Sequence, residues 1–181
     1  MTKMEIRSVI MSYLDVKPEQ KVLDIGAGTG SVIIQLKKTF PSIEAYAIEK
    51  TESGCQLILE NANKHHVKIH IKHADAPYYD LDRHLSFDRI YIGGTGHKFT
   101  EIMRWLEERH LKAESILVFS ALTIESQQEI LSYLFNKSES FKDIEASYIQ
   151  ASRMEMLSEY HYFKPLNPCM VIKCIVGGNH V

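Results

Sequence analysis

Lys21-Val22-Leu23-Asp24-Ile25-Gly26-Ala27-Gly28-Thr29-Gly30 is the stretch that decides how this chain folds. Its apolar half reads as a buried strand, and the alternating glycines at 26, 28 and 30 read as a sharp turn into a helix. Glycines there leave the backbone bare, so a nucleoside ligand can lie directly against it. The spacing narrows the choice of ligand. A pyrophosphate-binding dinucleotide loop carries its third glycine, or an alanine, three residues after the second. Here Ser31 holds that position, and the third glycine follows the second by two residues.

Working outward, residues 2–5 (Thr-Lys-Met-Glu) have the spacing of a capping box, and Ile6, Val9, Ile10, Tyr13 and Leu14 then recur at helical intervals until Lys17-Pro18. A strand is expected over 21–25, a helix over 31–38 and a strand over 44–48 with Glu49 at its carboxyl end. Cys55, Ile58, Leu59 and Ala62 mark the next helix, followed by strands over 67–73 and 87–92. Phe99, Ile102, Met103 and Leu106 mark another helix, 115–120 a fifth strand, and Ile124, Ile130, Leu131 and Leu134 a further helix. Such alternation predicts a parallel sheet covered on both faces. Residues 143–151 and 168–176 break it, reading as two strands with no helix between, an antiparallel pair at one edge. The fold class expected is α/β: a Rossmann-like, seven-stranded, mostly parallel sheet with an antiparallel C-terminal strand pair. One domain over 1–176 is expected, with 177–181 as a loose tail.

Composition agrees with one ordinary globular domain: 181 residues, 45% hydrophobic and 24% charged, with no apolar run long enough to span a membrane. No secretory segment opens the chain, so the cytoplasm is the default compartment and no membrane partner is expected. A net charge of −2 gives no basic footprint for nucleic acid. Three cysteines form no C-x-x-C, and the odd offset between Cys169 and Cys174 points them to opposite faces of a strand, so buried thiols are expected. His65, His66, His70, His73 and His161 make no zinc-ligand spacing, and no structural metal is expected.

Asp24 ahead of glycines 26, 28 and 30 resembles the first motif of S-adenosylmethionine-dependent methyltransferases. Ligands of open parallel sheets bind beyond the strands' carboxyl ends, so the residues just past each strand are the candidates. Gly26, Ala27, Gly28, Thr29 and Gly30 would face the amino-acid and ribose parts of the cofactor. Glu49 is placed to accept both ribose hydroxyls, although a solvated acid at a strand end reads the same way. Asp75 would accept the adenine amino group and Ala76 would offer its amide to the ring edge, against the alternative of a plain proline-containing loop. Gly93-Gly94-Thr95-Gly96 leaves open space beside the sulfonium, or is simply a flexible turn.

One narrower family resemblance covers nearly the whole chain, carried by Thr2-Lys3-x-Glu5-Ile6-Arg7, Asp24 to Gly30, Asp75-Ala76-Pro77, Gly93 to Gly96, Gln150-Ala151-Ser152-Arg153 and Asn167-Pro168. These resemble the decarboxylating cobalt-precorrin-6B carbon-15 methyltransferases of cobalamin biosynthesis. The resemblance implies methylation of carbon 15 of a corrin precursor with loss of carbon dioxide from the carbon-12 acetate, S-adenosyl-L-methionine as cofactor, and a homotetramer. It carries cofactor contacts onto Thr2, Gly26 to Gly30, Glu49 and Ala76, with Gly93 beside them. Members of that family carry a longer stretch ahead of the threonine, so a covering segment is expected to be missing here or to come from a neighbouring subunit. Residues 154–166 are richer in aromatics than the resemblance predicts.

Methyl transfer from a sulfonium is an in-line displacement that chiefly needs the nucleophile held at about 3 to 3.5 Å. The conjugated macrocycle accepts the electrons released by decarboxylation, so no general base is assigned; His97 is the one titratable group beside the glycine-rich turn. The substrate's carboxylates call for cations, and Lys3, Arg7 (four residues apart on a helix) and Arg153 are the candidates. Two alternatives stay open: a class I methyltransferase acting on another small molecule or RNA, and a non-catalytic nucleotide-binding α/β domain.

Overall fold

A computed structural model describes residues 2–178. In chain order the elements are α1 (Met4–Leu14), β1 (Lys21–Ile25), α2 (Ser31–Thr39), β2 (Glu44–Glu49), α3 (Glu52–Lys64), β3 (His70–His73), β4 (Arg89–Ile92), α4 (Phe99–Arg109), β5 (Ile116–Ala121), α5 (Ile124–Asn136), β6 (Phe141–Ile149), β7 (Ser152–Leu157), β8 (Tyr160–Pro165) and β9 (Cys169–Val176). Seven strands form one sheet in the order β3-β2-β1-β4-β5-β9-β6. Only β9 runs against the others, inserted between β5 and β6 and antiparallel to both. The expected α/β sheet is therefore present, and its C-terminal antiparallel pair is β6 with β9. Gly177 does not belong to a loose tail: it is buried, and its amide donates to the Ser140 carbonyl at 2.8 Å. Residues 179–181 of that expected tail lie outside the described residues.

Strand residues alternate between two cores because successive side chains point to opposite faces. Val22, Ala45, Ala47 and Val118 pack beneath α1, α2 and α3. Leu23, Ile25, Ile90, Leu117 and Phe119 pack beneath α4 and α5. Cys169 lies in the first core and Cys174 in the second, as their odd offset requires. Phe119 and Phe99 meet edge to face at 5.8 Å at the centre of the second.

Three local expectations are corrected. The capping box at 2–5 does not form: Lys3 is the N-cap of α1, with no side-chain cap, and Glu5 pairs with Arg153. β3 begins at His70 instead of residue 67, because the Val67 amide is bonded to the Ala62 carbonyl where α3 unwinds. The segment after β6 is not a connection but the ribbon β7–β8, a second sheet standing apart from the first.

Asp24 sits directly opposite Tyr91 in the β1–β4 register, on the face covered by α1 and α2. It is 1% exposed, and neither carboxylate oxygen has a hydrogen-bond partner among the described residues. Burial pushes its pKa up to about 7; the Ile33 amide in the first turn of α2 opposes this without closing a bond, and the Glu49 charge adds to the rise. An unfolded aspartate ionises near pH 3.9, so between about pH 4 and pH 7 the unfolded chain releases a proton that the folded chain keeps, and stability falls as pH rises.

Two measurements test this reading. Phe119→Ala is expected to lower stability in urea unfolding by about 3–5 kcal/mol, the loss of a fully buried aromatic. Asp24→Asn removes the ionisation cost, so its stability relative to the parent should climb between pH 4 and 7, by on the order of 4 kcal/mol, then level off. A difference that stays flat across that window would exclude a buried, raised-pKa carboxyl at this position.

Candidate functional site

Loops leaving β1 and β4 emerge side by side because the register sets Ile25 level with Ile92. The Gly26 and Ala27 amides both donate to the Ile48 carbonyl at 3.0 and 3.2 Å, and the Gly93 amide donates to Ile25 at 3.0 Å. Between these loops, the end of β5 and the start of α1 lies a cavity of about 640 Å³. Gly26, Ala27, Gly28 and Thr29 form one wall, and Gly93, Gly94 and Thr95 another. A Cβ added at Gly28 or at Gly94 would meet nothing within 4 Å, so both stretches of backbone face open space.

Two residues missed in the sequence form the cavity floor. The Tyr91 hydroxyl and Ser120 Oγ lie 2.8 Å apart, with the Thr2 side chain beside the phenol. Burial pushes the Tyr91 phenol well above its ordinary value, so it stays neutral. Ser120 is the next-to-last residue of β5, close to the strand end that such reasoning singles out, and Tyr91 stands two residues before Gly93. Thr123, Ser126 and Glu129 of the α5 region and Asn167 before β9 add polar groups to the rim. Lys3 is the only cation and Glu129 the only acid among the lining residues.

Glu49 is 7% exposed and does not line this cavity. Its Oε2 accepts the Gly28 amide at 2.9 Å, and its Oε1 accepts the Thr51 amide and hydroxyl at 3.0 and 2.7 Å. Burial raises its pKa, but the hydrogen bonds from Thr51 and Gly28 outweigh that and hold it below the usual carboxylate value. Gly30 serves packing and not the cavity: it is the N-cap of α2 at φ 71°, and an added Cβ would lie 3.0 Å from Ile34 Cδ1 and 3.1 Å from Ile58 Cγ2. Asp75 is half exposed and paired with Lys98 at 2.6 Å, which ties the loop after β3 to the loop after β4. Ala76 is buried beside it, preceding a cis proline, and neither residue lines the cavity.

The three expected cations do not converge. Lys3 lines the cavity, but it sits outside the helix with ψ 152°, so the four-residue spacing to Arg7 puts them on no common face. Arg7 is held by the Gln35 side chain and the Thr2 carbonyl. Arg153 grips Glu5 with both arms of its guanidinium, at 3.0 and 2.9 Å. His97 is exposed at φ 67° and does not line the cavity. Among the described residues no His, Cys, Asp or Glu cluster is placed to hold a metal ion, and no helix is long and apolar enough to cross a membrane.

Comparison with known proteins gives this geometry a context. A cobalt-precorrin-6B C(15)-methyltransferase (decarboxylating) of Salmonella typhi is 32% identical over 182 residues, covering 100% of this chain and 92% of that protein. A probable enzyme of the same name from Saccharolobus solfataricus is 36% identical over 135 residues, 73% of this chain and 67% of that one. The crystal structure of a precorrin-6y C5,15-methyltransferase from Geobacter metallireducens superposes with a TM-score of 0.88 at 28% identity, covering 97% of this chain and 90% of the other. A family model described as the precorrin methyltransferase domain matches residues 1–175, and the chain belongs to that family.

Proposed function

We propose that one domain over residues 1–176 transfers a methyl group from S-adenosyl-L-methionine to carbon 15 of cobalt-precorrin-6B and removes the carbon-12 acetate carboxyl as carbon dioxide, in the cytoplasm. The observation that carries this reading is full-length similarity to a relative so named, supported by glycine backbone left open at the ends of β1 and β4. The cradle fits the cofactor. Gly28 and Gly94 present bare backbone to open space, and Glu49 Oε2 accepts only the Gly28 amide, which leaves it capacity for a ribose hydroxyl. Asp75 binds Lys98 through Oδ2, leaving Oδ1 for the adenine amino group, with the Ala76 amide at the ring edge. When bound, S-adenosylmethionine supplies the electrophilic methyl group.

The chain's own part is binding, orientation and exclusion of water. Ile6, Val32, Phe99 and Ile130 form apolar walls, and Lys3 meets a substrate carboxylate. Thr2, Tyr91 and Ser120 give a neutral hydroxyl floor that orients polar edges without a charge of its own. No strong base faces the cavity, in keeping with a nucleophile whose electrons come from its own conjugated ring.

A homotetramer is part of the proposal, and β7–β8 supports self-association. An isolated two-stranded ribbon is at best marginally stable in water. This one has every residue exposed, including Met154, Met156, Leu157, Tyr160 and Phe163 at 62–72%. A second copy of the chain covering these side chains would supply the missing burial.

Calorimetric titration with S-adenosylhomocysteine should show binding that Glu49→Ala weakens by about tenfold or more, equivalent to about 1.4 kcal/mol. Absence of binding to the unaltered protein would remove the cofactor assignment. Replacing Met156 and Phe163 together by Glu is expected to convert the assembly to smaller species in sedimentation velocity, while unaltered sedimentation would place the interface elsewhere.

A further inference from the structure

A second cleft, of about 610 Å³, lies on the far side of the glycine loop along the outer face of α2, and no carboxylate lines it. Ser31, Gln35 and Lys38 recur there at helical spacing, flanked by Arg7 from α1, Asn61 from α3 and His65 at the C-cap of α3. Lysines gather in the last turn of a helix because its free carbonyls attract them. Lys37 reaches backbone carbonyls just past the helix end, those of Pro41 and Ile43, at 2.8 and 2.5 Å. Lys38 does not. Its ammonium instead donates to Nδ1 of His65 at 3.3 Å, a neutral acceptor where an acid would balance the charge.

Arg7 is likewise oriented only by neutral acceptors, Gln35 Oε1 and the Thr2 carbonyl. None of the ion pairs among the described residues includes Arg7, Lys38 or His65. The neutral groups around them are also poised to donate. Gln35 turns its amide oxygen to Arg7, which leaves its NH2 free, and Asn61 uses its amide to hold the Thr29 carbonyl at 3.0 Å. The Thr29 hydroxyl itself is buried without a partner.

We infer that this cleft binds the phosphate group of a small molecule, held by Arg7, Lys38 and His65 with Ser31 and Asn61 completing the cradle. A tetrahedral oxyanion offers an oxygen to donors arriving from three helices, whereas a planar carboxylate offers two oxygens in one plane. The cleft exceeds the size of a phosphate alone and accommodates the body that carries it. Thr29 lines both this cleft and the first cavity, and Arg7 donates to the carbonyl of Thr2, so the two openings flank the same loop.

The test is independent of cofactor and substrate. Histidine ring signals are followed by NMR while inorganic phosphate is added at fixed pH, with sodium chloride holding ionic strength constant. The His65 signal, identified by its loss in His65→Gln, should move saturably with a Kd on the order of 1 mM, weakened about tenfold or more in Lys38→Met and restored in Lys38→Arg. Lys38 is exposed, so these variants leave the fold intact. A drift that chloride alone reproduces, saturation unchanged in Lys38→Met, or a stronger response to tricarballylate than to phosphate would each overturn the assignment.

Discussion

Two backbones, at Gly26 and Gly94, approach so closely that the first tolerates no side chain: a Cβ on Gly26 would lie 2.6 Å from the Gly94 carbonyl oxygen. That contact follows from the sheet. Register sets the ends of β1 and β4 level, and each loop is then fastened to a neighbouring strand through the carbonyls of Ile48 and Ile25. A bulkier residue at 26 would push the loops apart, and its φ of 70° would be strained as well. Cavity shape, the aim of the Gly28 amide and the position of Glu49 all depend on this approach. Catalytic placement is in this sense a property of the sheet before it is a property of any functional side chain.

Two acids near that loop meet opposite fates for reasons of supply. Glu49 is met by the Gly28 amide and by the amide and hydroxyl of Thr51, and stays ionised although it is buried. Asp24 is buried further, meets no complete hydrogen bond, and feels the Glu49 charge. Desolvation wins where donors are absent and loses where they are present. Asp24 stands next to Tyr91 across the ladder, so below about pH 7 a protonated carboxyl and a neutral phenol form one uncharged polar row under the cradle. A neutral row there leaves the field at the cavity to Lys3, Glu129, the ionised Glu49 behind Gly28 and whatever charge a ligand brings.

Features carried by short-range pattern were legible in the sequence, and features carried by long side chains were not. Alternation of strands and helices predicted the sheet, glycine spacing separated this loop from a dinucleotide loop, and strand parity placed Cys169 and Cys174 in different cores. The ribbon escaped because its turn, Ser158-Glu159, lacks the Asn-Gly or Asp-Gly signal of a two-residue hairpin, although Ser158 takes the left-handed conformation at φ 57°. Gly30 was correctly marked as special, but for the wrong neighbour: periodicity cannot show that Ile58 of another helix closes on it. Arg153 finds Glu5 across 148 residues, a pairing no local spacing encodes.

Residues 2–7 explain why Lys3, Arg7 and Arg153 share no common surface and what the segment holds together. Lys3 keeps extended backbone, so the helix and its periodicity start only at Met4. Within six residues Thr2 reaches Tyr91, Lys3 the cavity, Glu5 the ribbon through Arg153, and Arg7 the second cleft through Gln35. Each contact is modest alone, since water and salt screen the exposed Arg153–Glu5 pair. Their value is positional. The ribbon, the cavity floor and the second cleft all touch this one short segment, and the extended backbone at Lys3 is what lets so few residues reach all three.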